Sequence, residues 1–177
     1  MVFQVHGLHL QVYDFNDSEM TLKDLAAWYH KEKYGNIPQH CRPNKKFSDA
    51  GANELTKSIL AYFELKKWKA YRQSSEGRYI QGRQYTDWMG RSRQEKGMYI
   101  PRSKSNKGAG DISCLIPPVG RRLEVEVKFG KDKQSPDQKS FQKEIEDMGG
   151  IYIIVKTWED FFFQIKKIEE ENEKFKK

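Results

Sequence analysis

The sequence has few cysteines and no long apolar segment. Its 177 residues include two cysteines, Cys41 and Cys114, which are too few for a disulfide framework. No apolar run approaches the length that a membrane-spanning helix needs, and no signal peptide is recognisable. Cys-x-x-Cys pairs and Gly-Lys-Ser/Thr phosphate loops are also missing. These absences predict a reduced, cytoplasmic protein without a membrane partner.

Charged residues are abundant, and the basic ones are in excess. There are 32 Lys and Arg residues against 25 Asp and Glu, which gives a formal net charge of +7 and favours an acidic partner. Between residues 72 and 107 the basic residues are interleaved with aromatic ones, namely Tyr79, Tyr85, Trp88 and Tyr99. Basic side chains give sequence-independent affinity for phosphates, and aromatic rings stack on unpaired bases.

Residues 74–110 show no sustained apolar period, which predicts a long insert without regular structure. One interpretation is a solvated, flexible loop. The other, which we favour because the segment leads directly into Asp111, is contact with nucleic acid. The candidate nucleic-acid-binding residues are Arg72, Arg91, Arg93, Arg102, Lys104 and Lys107.

The residues after this insert predict a β-hairpin with an acidic face. Residues 111–116 and 123–128 form the two strands, and the Pro- and Gly-containing segment 117–121 forms the turn. Alternation places Glu124, Glu126 and Lys128 on one face, which we expect to be wet, with Lys128 exposed. If residue 116 lies near residue 122, Asp111 comes beside Glu126 and Val127.

Two carboxylates and a lysine at one end of a hairpin suit metal-assisted phosphodiester hydrolysis. The carboxylates can hold Mg²⁺ or Mn²⁺, while waters and a substrate phosphate fill the other positions. The lysine can orient or deprotonate the attacking water and offset charge in the transition state. The alternative is an amphipathic hairpin whose Glu and Lys side chains are merely solvated.

The flanking segments predict an α/β fold. Residues 52–66 form an amphipathic helix, and residues 68–73 form a strand. Ser135, Pro136 and Gln138 begin a helix that buries Phe141, Ile145 and Met148. Residues 151–155 form a buried strand, and Thr157 caps a last helix. The order places a central mixed sheet between helices.

This order of elements and residues resembles the PD-(D/E)XK nuclease superfamily. The similarity is greatest to its virus-type replication–repair nuclease (VRR-NUC) group and to the archaeal-type Holliday junction resolvases. The matching positions, which span roughly residues 50–160, are Glu54 on a helix, Gly108 and Asp111 at the second strand, Glu126-Val127-Lys128 on the third, and Ser135 and Gln138 at the next helix. Gly110 stands where the family name has proline.

The resemblance implies a restriction-endonuclease-like sandwich and assigns roles within it. Asp111, Glu126 and the Val127 carbonyl would ligate Mg²⁺ or Mn²⁺, and Lys128 would activate or orient the water. Glu54 and Gln138 would shape the site. Three alternatives remain open. Glu124 competes with Glu126, Gln138 is explained equally well by a capping box, and Glu54 by a favourable acid in a helix's first turn.

Together these expectations predict an endonuclease that acts on DNA in replication, repair or recombination. The resolvase relatives raise a homodimer as one arrangement, although no feature of the sequence itself predicts dimerisation. A non-catalytic nucleic-acid-binding module on the same fold is the main alternative, and a protein-interaction domain is a third. Flap, junction and nick substrates, and DNA and RNA, are not distinguished.

The sequence pattern divides the chain into two parts. Residues 49–177 form the nuclease-like domain, with the basic insert 74–110 inside it. Residues 1–48 form an N-terminal extension with one predicted helix, residues 21–34, capped by Thr21. Its interpretation is open between a docking module and additional packing.

Overall fold

The structure, a computed structural model, describes residues 19–73, 78–100 and 107–173. The helices are α1 (Leu22–Tyr34), α2 (Ala52–Leu65), α3 (Pro136–Asp147) and α4 (Trp158–Glu173), with a short 3₁₀ helix at Gln39–Cys41. The strands are β1 (Lys69–Arg72), β2 (Arg78–Ile80), β3 (Gln84–Thr86), β4 (Ser92–Gln94), β5 (Met98–Ile100), β6 (Ile112–Ile116), β7 (Arg121–Val127) and β8 (Ile151–Val155). The predicted α/β class and the predicted order of elements are confirmed.

The main sheet has the strand order β1-β6-β7-β8. The first two pairs are antiparallel, whereas β7 and β8 are parallel, so α3 serves as the crossover between them. In the β6–β7 hairpin Ile112 pairs with Val125 and Ile116 pairs with Arg121, one residue from the predicted register. This pairing brings Asp111, which precedes β6, level with Glu126.

One face of the sheet carries the core. Leu123, Val125 and Val127 of β7 point into a cluster that α2 and α4 complete. Tyr62 of α2 is 1% exposed and lies among three aromatic rings of α4, with centroid distances of 5.6 to 6.1 Å. The residues between 19 and 48 join this core, because Leu25 is fully buried in it. The other face of the sheet is covered by α3.

Local capping fixes where the helices begin. Thr21 caps α1, as predicted, and it forms a capping box with Asp24; Ser135 and Gln138 form the predicted capping box at α3. Burial of Met148 was predicted wrongly, because the residue is 82% exposed. The helix ends at Asp147, and Met148 is its C-cap, so the apolar stripe stops one turn earlier than its spacing suggests.

The insert contains regular structure, contrary to the prediction for residues 74–110. Within the part that is described, β2 pairs with β5 and β3 pairs with β4, both antiparallel. We call residues 78–100 the ribbon. Large apolar side chains on both of its ladders are exposed, so the ribbon has no core of its own.

Among the helices of the described ranges, none is long and apolar enough to cross a membrane.

Candidate active site

Asp111 stands at the point where the chain returns from the insert to the sheet. Its Oδ2 accepts a hydrogen bond from the Val127 backbone N–H at 2.9 Å, so the side chain completes the ladder beyond the last pair of β6 and β7. Its own carbonyl oxygen accepts from the Gln73 N–H at 2.7 Å. The carboxylate is therefore fixed between β1 and β7.

The glycines before Asp111 allow this position. Gly108 is buried with φ +86°, and a Cβ there would overlap the backbone of Asp137 at the start of α3. A Cβ at Gly110 would lie 3.0 Å from the carbonyl oxygen of Val125. The chain thus passes tightly between α3 and β7, which explains why Gly-Ala-Gly leads into the acid.

Glu126, Lys128 and Gln138 form one hydrogen-bonded cluster. The Lys128 Nζ lies 2.9 Å from Glu126 Oε1 and 3.1 Å from Gln138 Oε1. The Gln138 amide also donates from Nε2 to Glu126 Oε1 at 2.5 Å and accepts from the Ser135 N–H. Gln138 therefore caps α3 and also contacts the acidic face of β7.

This face is more buried than predicted. Glu126 is 4% exposed and Lys128 is 5% exposed, so the expectation of an exposed lysine on a wet face is wrong. Gln138 of α3 and Asp132 of the preceding loop close over the ammonium group. Alternation predicted the shared face correctly, but it carries no information about what covers that face.

Burial and charge shift the pKa values of this pair. Burial raises the pKa of Glu126, and the negative charge of Asp111 adds to the rise, although the hydrogen bond from Lys128 opposes both. For Lys128, burial works against the ammonium form, but Glu126 and Asp132 outweigh it and raise the pKa. The carboxylates of Asp111 and Glu126 thus repel each other, and the fold keeps the neighbouring Lys128 in its charged form.

Glu124 belongs to a separate cluster on the same face. It is fully buried, and Gln73 donates from Nε2 to both of its oxygens at 3.1 and 3.3 Å. The Arg122 guanidinium pairs with Glu124 Oε1 at 2.7 Å. Because these partners hold Glu124 whereas Glu126 lies with Lys128 and Gln138, the geometry favours Glu126 as the functional acid.

Glu54 lies in the first turn of α2, and its carboxylate folds back over Gly51 at the N-cap. Among the described residues, no hydrogen bond or ion pair joins its side chain to Asp111, Glu126 or Lys128. This position matches the favourable interaction of an acid with a helix N-terminus. The structure thus brings together four of the five predicted catalytic side chains and leaves Glu54 outside their hydrogen-bonded contacts.

The predicted nucleic-acid-binding residues are dispersed. The Arg72 side chain donates to Asn53, and Lys107 pairs with Asp137 at 3.0 Å. Arg91 and Arg93 both contact Asp87 at 3.1 Å, yet they stay about half exposed. Arg102 and Lys104 lie outside the described residues. Exposed ion pairs of this kind stabilise a fold only weakly, so these cations can exchange an internal carboxylate for a phosphate.

Sequence reasoning missed several side chains of the site. The Tyr152 hydroxyl donates to Glu126 Oε2 at 3.4 Å, and Asp132 lies 3.4 Å from Lys128 Nζ. Alternation in β8 could have found Tyr152, because a parallel neighbour of β7 presents every second residue to the same face. Asp132 lies in an irregular loop, and no sequence pattern indicates its contact.

The donor set fits a hard divalent cation. Asp111 and Glu126 are oxygen donors whose charges already oppose each other, and a cation between them would relieve that repulsion. Within the described ranges, no group of three or more His, Cys, Asp or Glu side chains is placed to hold a metal ion. A cation here would therefore need further oxygen ligands, for which the Val127 carbonyl, waters and a substrate phosphate are candidates.

The Glu126 pKa leads to a prediction about stability. The unfolded chain releases this proton near the ordinary value of 4.5, whereas the folded protein releases it at higher pH. Between these two values the folded state holds more protons, so its stability falls as pH rises. Glu126→Gln removes this titration. The free energy of unfolding of the variant minus that of the wild type should therefore increase from pH 4.5 upward and then level off.

Urea unfolding in EDTA at a series of pH values measures this difference. The unaltered protein at the same pH is the reference, and in it the raised pKa of Lys128 affects stability only in alkaline solution. A difference that stays flat or falls between pH 4.5 and pH 8 would contradict the assigned environment of Glu126.

Comparison with known proteins gives no family assignment. No protein-family model matches the chain, and no curated protein sequence matches it significantly. The functional conclusion therefore depends on the geometry of the site.

Proposed function

We propose that the chain is a divalent-metal-dependent nuclease that hydrolyses DNA phosphodiester bonds. One observation carries the proposal. Asp111 and Glu126 lie side by side at the end of β6 and β7, and Lys128 and Gln138 are hydrogen-bonded to Glu126. A scaffold that buries an acid against another acid and a lysine does so at an energetic cost, and such strained charge arrangements are concentrated at functional sites.

The order of elements supports the finer fold proposal, a restriction-endonuclease-like αβββαβ core of the PD-(D/E)XK type. Helix α2 is followed by β1, by the β6–β7 hairpin, by α3 and by the parallel strand β8. The resemblance to the VRR-NUC group rests on residues that, apart from Glu54, lie at the site. On this proposal residues 49–177 are the nuclease-like domain, with the ribbon inserted between its first two core strands.

The proposed cofactor is Mg²⁺ or Mn²⁺, held by Asp111, Glu126 and the carbonyl of Val127. When bound, such an ion supplies Lewis acidity to a phosphoryl oxygen and lowers the pKa of a bound water. Asp111 is positioned for this by the Val127 N–H, and Glu126 by Gln138 and Tyr152. These hydrogen bonds hold the two carboxylates in place before substrate arrives.

Lys128 then acts as a fixed cation. Glu126, Asp132 and Gln138 surround its ammonium group with acceptors. These three acceptors match its three N–H groups, so it would exchange the longest contact, with the exposed Asp132 at 3.4 Å, to orient a water or to stabilise negative charge that develops on the phosphate oxygens. Gln138 acts through Glu126 and Lys128 as a positioning residue.

Substrate binding is proposed to use the basic insert. Its two ends leave the sheet beside Asp111, since Arg72 pairs with Ile112 and Gln73 contacts Asp111. DNA held along the insert would thus be led to the carboxylates. Endonucleolytic cleavage of branched DNA, and a homodimer that cuts two strands, remain parts of the proposal that rest on the resemblance.

A non-catalytic nucleic-acid-binding module is the rival proposal. The observation in its favour is that Glu126 is already fully engaged by internal partners, with hydrogen bonds to both of its oxygens. The two proposals differ in whether metal-dependent cleavage occurs at all.

The test is cleavage of linear duplex, flap and four-way-junction DNA by the purified protein with Mg²⁺ or Mn²⁺. We expect at least one substrate to be cut, EDTA to abolish cutting, and Asp111→Asn to lower the rate by at least about 100-fold. Asp147→Asn, at the exposed end of α3, is the matched control and should stay within about twofold. If every substrate remains uncut with both metals, the binding module is the better account.

A further inference from the structure

The tip of the ribbon presents an aromatic side chain to solvent. Trp88 is 91% exposed, whereas Trp158 is fully buried and Trp28 and Trp68 pack against the core. An exposed tryptophan at the end of a hairpin contributes nothing to packing among the described residues. Its hydrophobic surface is therefore available to a ligand.

The turn that carries Trp88 is rigid. The Asp87 N–H donates to the Arg91 carbonyl, and the Gly90 N–H donates to the Asp87 carbonyl, both at 2.9 Å. Gly90 has φ +75°, which a three-residue hairpin loop of this type requires at its last position. The Asp87 carboxylate also accepts from the N–H groups of Met89 and Arg91. Trp88 is thus held outward by a bonded loop, which reduces the entropy lost on binding.

The surroundings of Trp88 are basic. Residues 78–100 contain five basic residues and two acidic ones, a net charge of +3. Arg91 and Arg93 follow the tip and each donates from Nε to Asp87, and Arg91 also donates from Nη2 to Met89 Sδ at 2.9 Å. Tyr85 lies opposite Arg93 in the β3–β4 ladder and is 51% exposed. Exposed aromatic rings and arginines on the same short hairpin are complementary to bases that are attached to a phosphate backbone.

We propose that Trp88 stacks on unpaired bases, so that the substrate class is DNA with a single-stranded segment beside a duplex. Bases inside a duplex have their faces covered by neighbouring bases, whereas a tail or branch offers a free face to the indole ring. This inference rests on the proposed nuclease function, and it adds that the ribbon selects DNA with unpaired bases.

The experiment uses the full chain in EDTA, so that no cleavage is needed. The probes are a blunt duplex and the same duplex with a 20-nucleotide oligothymidine tail, and affinity is measured by fluorescence anisotropy. Trp88→Ala should weaken binding to the tailed duplex by about tenfold and to the blunt duplex by less than about twofold. Trp88→Phe, which keeps a ring, should stay within about threefold of the wild type. Met98→Ala, which shortens an exposed apolar side chain in β5 of the same ribbon, is the matched control and should change neither affinity.

Tryptophan fluorescence gives a second measurement. The tailed duplex should quench the emission of the wild type, and the quenching should be lost in Trp88→Phe, because the other three tryptophans lie in the core or against it. Equal effects of Trp88→Ala on both probes, or no effect on either, overturn the proposal. The proposal is also overturned if phosphatidylglycerol vesicles quench the tryptophan emission and DNA does not, or if Trp88→Ala changes the oligomeric state in the absence of DNA.

Failure of this inference is distinguishable from failure of the nuclease proposal. If no DNA is cut but tailed duplex binds through Trp88, the inference stands and the chain is a binding module. If DNA is cut and Trp88→Ala leaves binding to both probes unchanged, only the inference fails.

Discussion

Replacement of Lys128 by methionine is expected to lower the rate of DNA cleavage by about 10²- to 10⁴-fold at saturating substrate. Methionine keeps most of the aliphatic volume in a site that is 5% exposed, so the change removes the charge and its hydrogen bonds rather than the packing. DNA affinity should change by less than about threefold, because the buried ammonium makes little contact with the distributed phosphates. Single-turnover cleavage with Mg²⁺, together with binding in EDTA, separates the two effects.

Stability is the main complication of this substitution. The removal of one partner from a buried ion pair leaves the other charge uncompensated, which costs about 3–5 kcal/mol when both groups are fully buried. Here the loss should be smaller, about 1–3 kcal/mol, because Glu126 has a raised pKa and can take up a proton instead. Cleavage should accordingly be compared well below the unfolding temperature of the variant.

Lys133→Met is the matched control, since Lys133 is an exposed lysine in the same loop. It should retain cleavage within about twofold and stability within about 0.5 kcal/mol. If Lys128→Met instead cleaves DNA at more than a tenth of the wild-type rate while folded, Lys128 has no direct part in the reaction.

The buried position of Lys128 also shows what the sequence could and could not predict. The shared face of Glu124, Glu126 and Lys128 follows from strand alternation, and the side chains do lie as that rule requires. The burial of Glu126 and Lys128 depends on Gln138 and Asp132, which reach this face from α3 and from the loop before it, whereas Gln73 and Arg122 contact Glu124. That is a tertiary relation between segments, and it leaves no local pattern.

The strands of the ribbon were not predicted from the sequence, and the reason is different. Periodicity in a sequence reports a difference in burial between two faces of an element. Both faces of the β2–β5 and β3–β4 ladders are exposed, so polar and apolar residues have no reason to alternate. Regular backbone structure without a buried face therefore leaves no periodic signal in the sequence.

The N-terminal ends of α1 and α3, in contrast, were predictable from the sequence. The capping boxes at Thr21 and Ser135 act through side chains three residues apart, so everything that determines them is local. Gln138 combines this local role with a tertiary one. Its contacts with Glu126 and Lys128 use the side-chain amide that the capping box also requires, and no local signal distinguishes a cap from a site residue.

The choice between the two glutamates of β7 gives the second large expected effect. Glu126→Gln should abolish metal-dependent cleavage, with a loss of at least about 100-fold, because a neutral amide oxygen is a much weaker ligand for a divalent cation than a carboxylate. It should also weaken Mn²⁺ binding measured by calorimetry without DNA. Glu124→Gln should keep the cleavage rate within about tenfold, since Arg122 and Gln73 hold Glu124 in its own cluster.

At neutral pH the two variants should be ordered the other way in stability, with Glu124→Gln losing more free energy of unfolding than Glu126→Gln. Glu124 is fully buried with a charged partner, so its neutralisation weakens a buried ionic hydrogen bond and should cost about 1–3 kcal/mol. Glu126→Gln also removes the partner of Lys128, but burial and the charge of Asp111 together outweigh the hydrogen bond from Lys128, so the fold disfavours the charged carboxylate and its neutralisation should cost less. Urea unfolding of both variants at pH 7 in EDTA, set beside their cleavage rates, gives a two-way comparison in which each variant is the control for the other. Loss of cleavage and Mn²⁺ binding in Glu124→Gln, with both retained in Glu126→Gln, would assign the metal to Glu124 and reverse the proposed site.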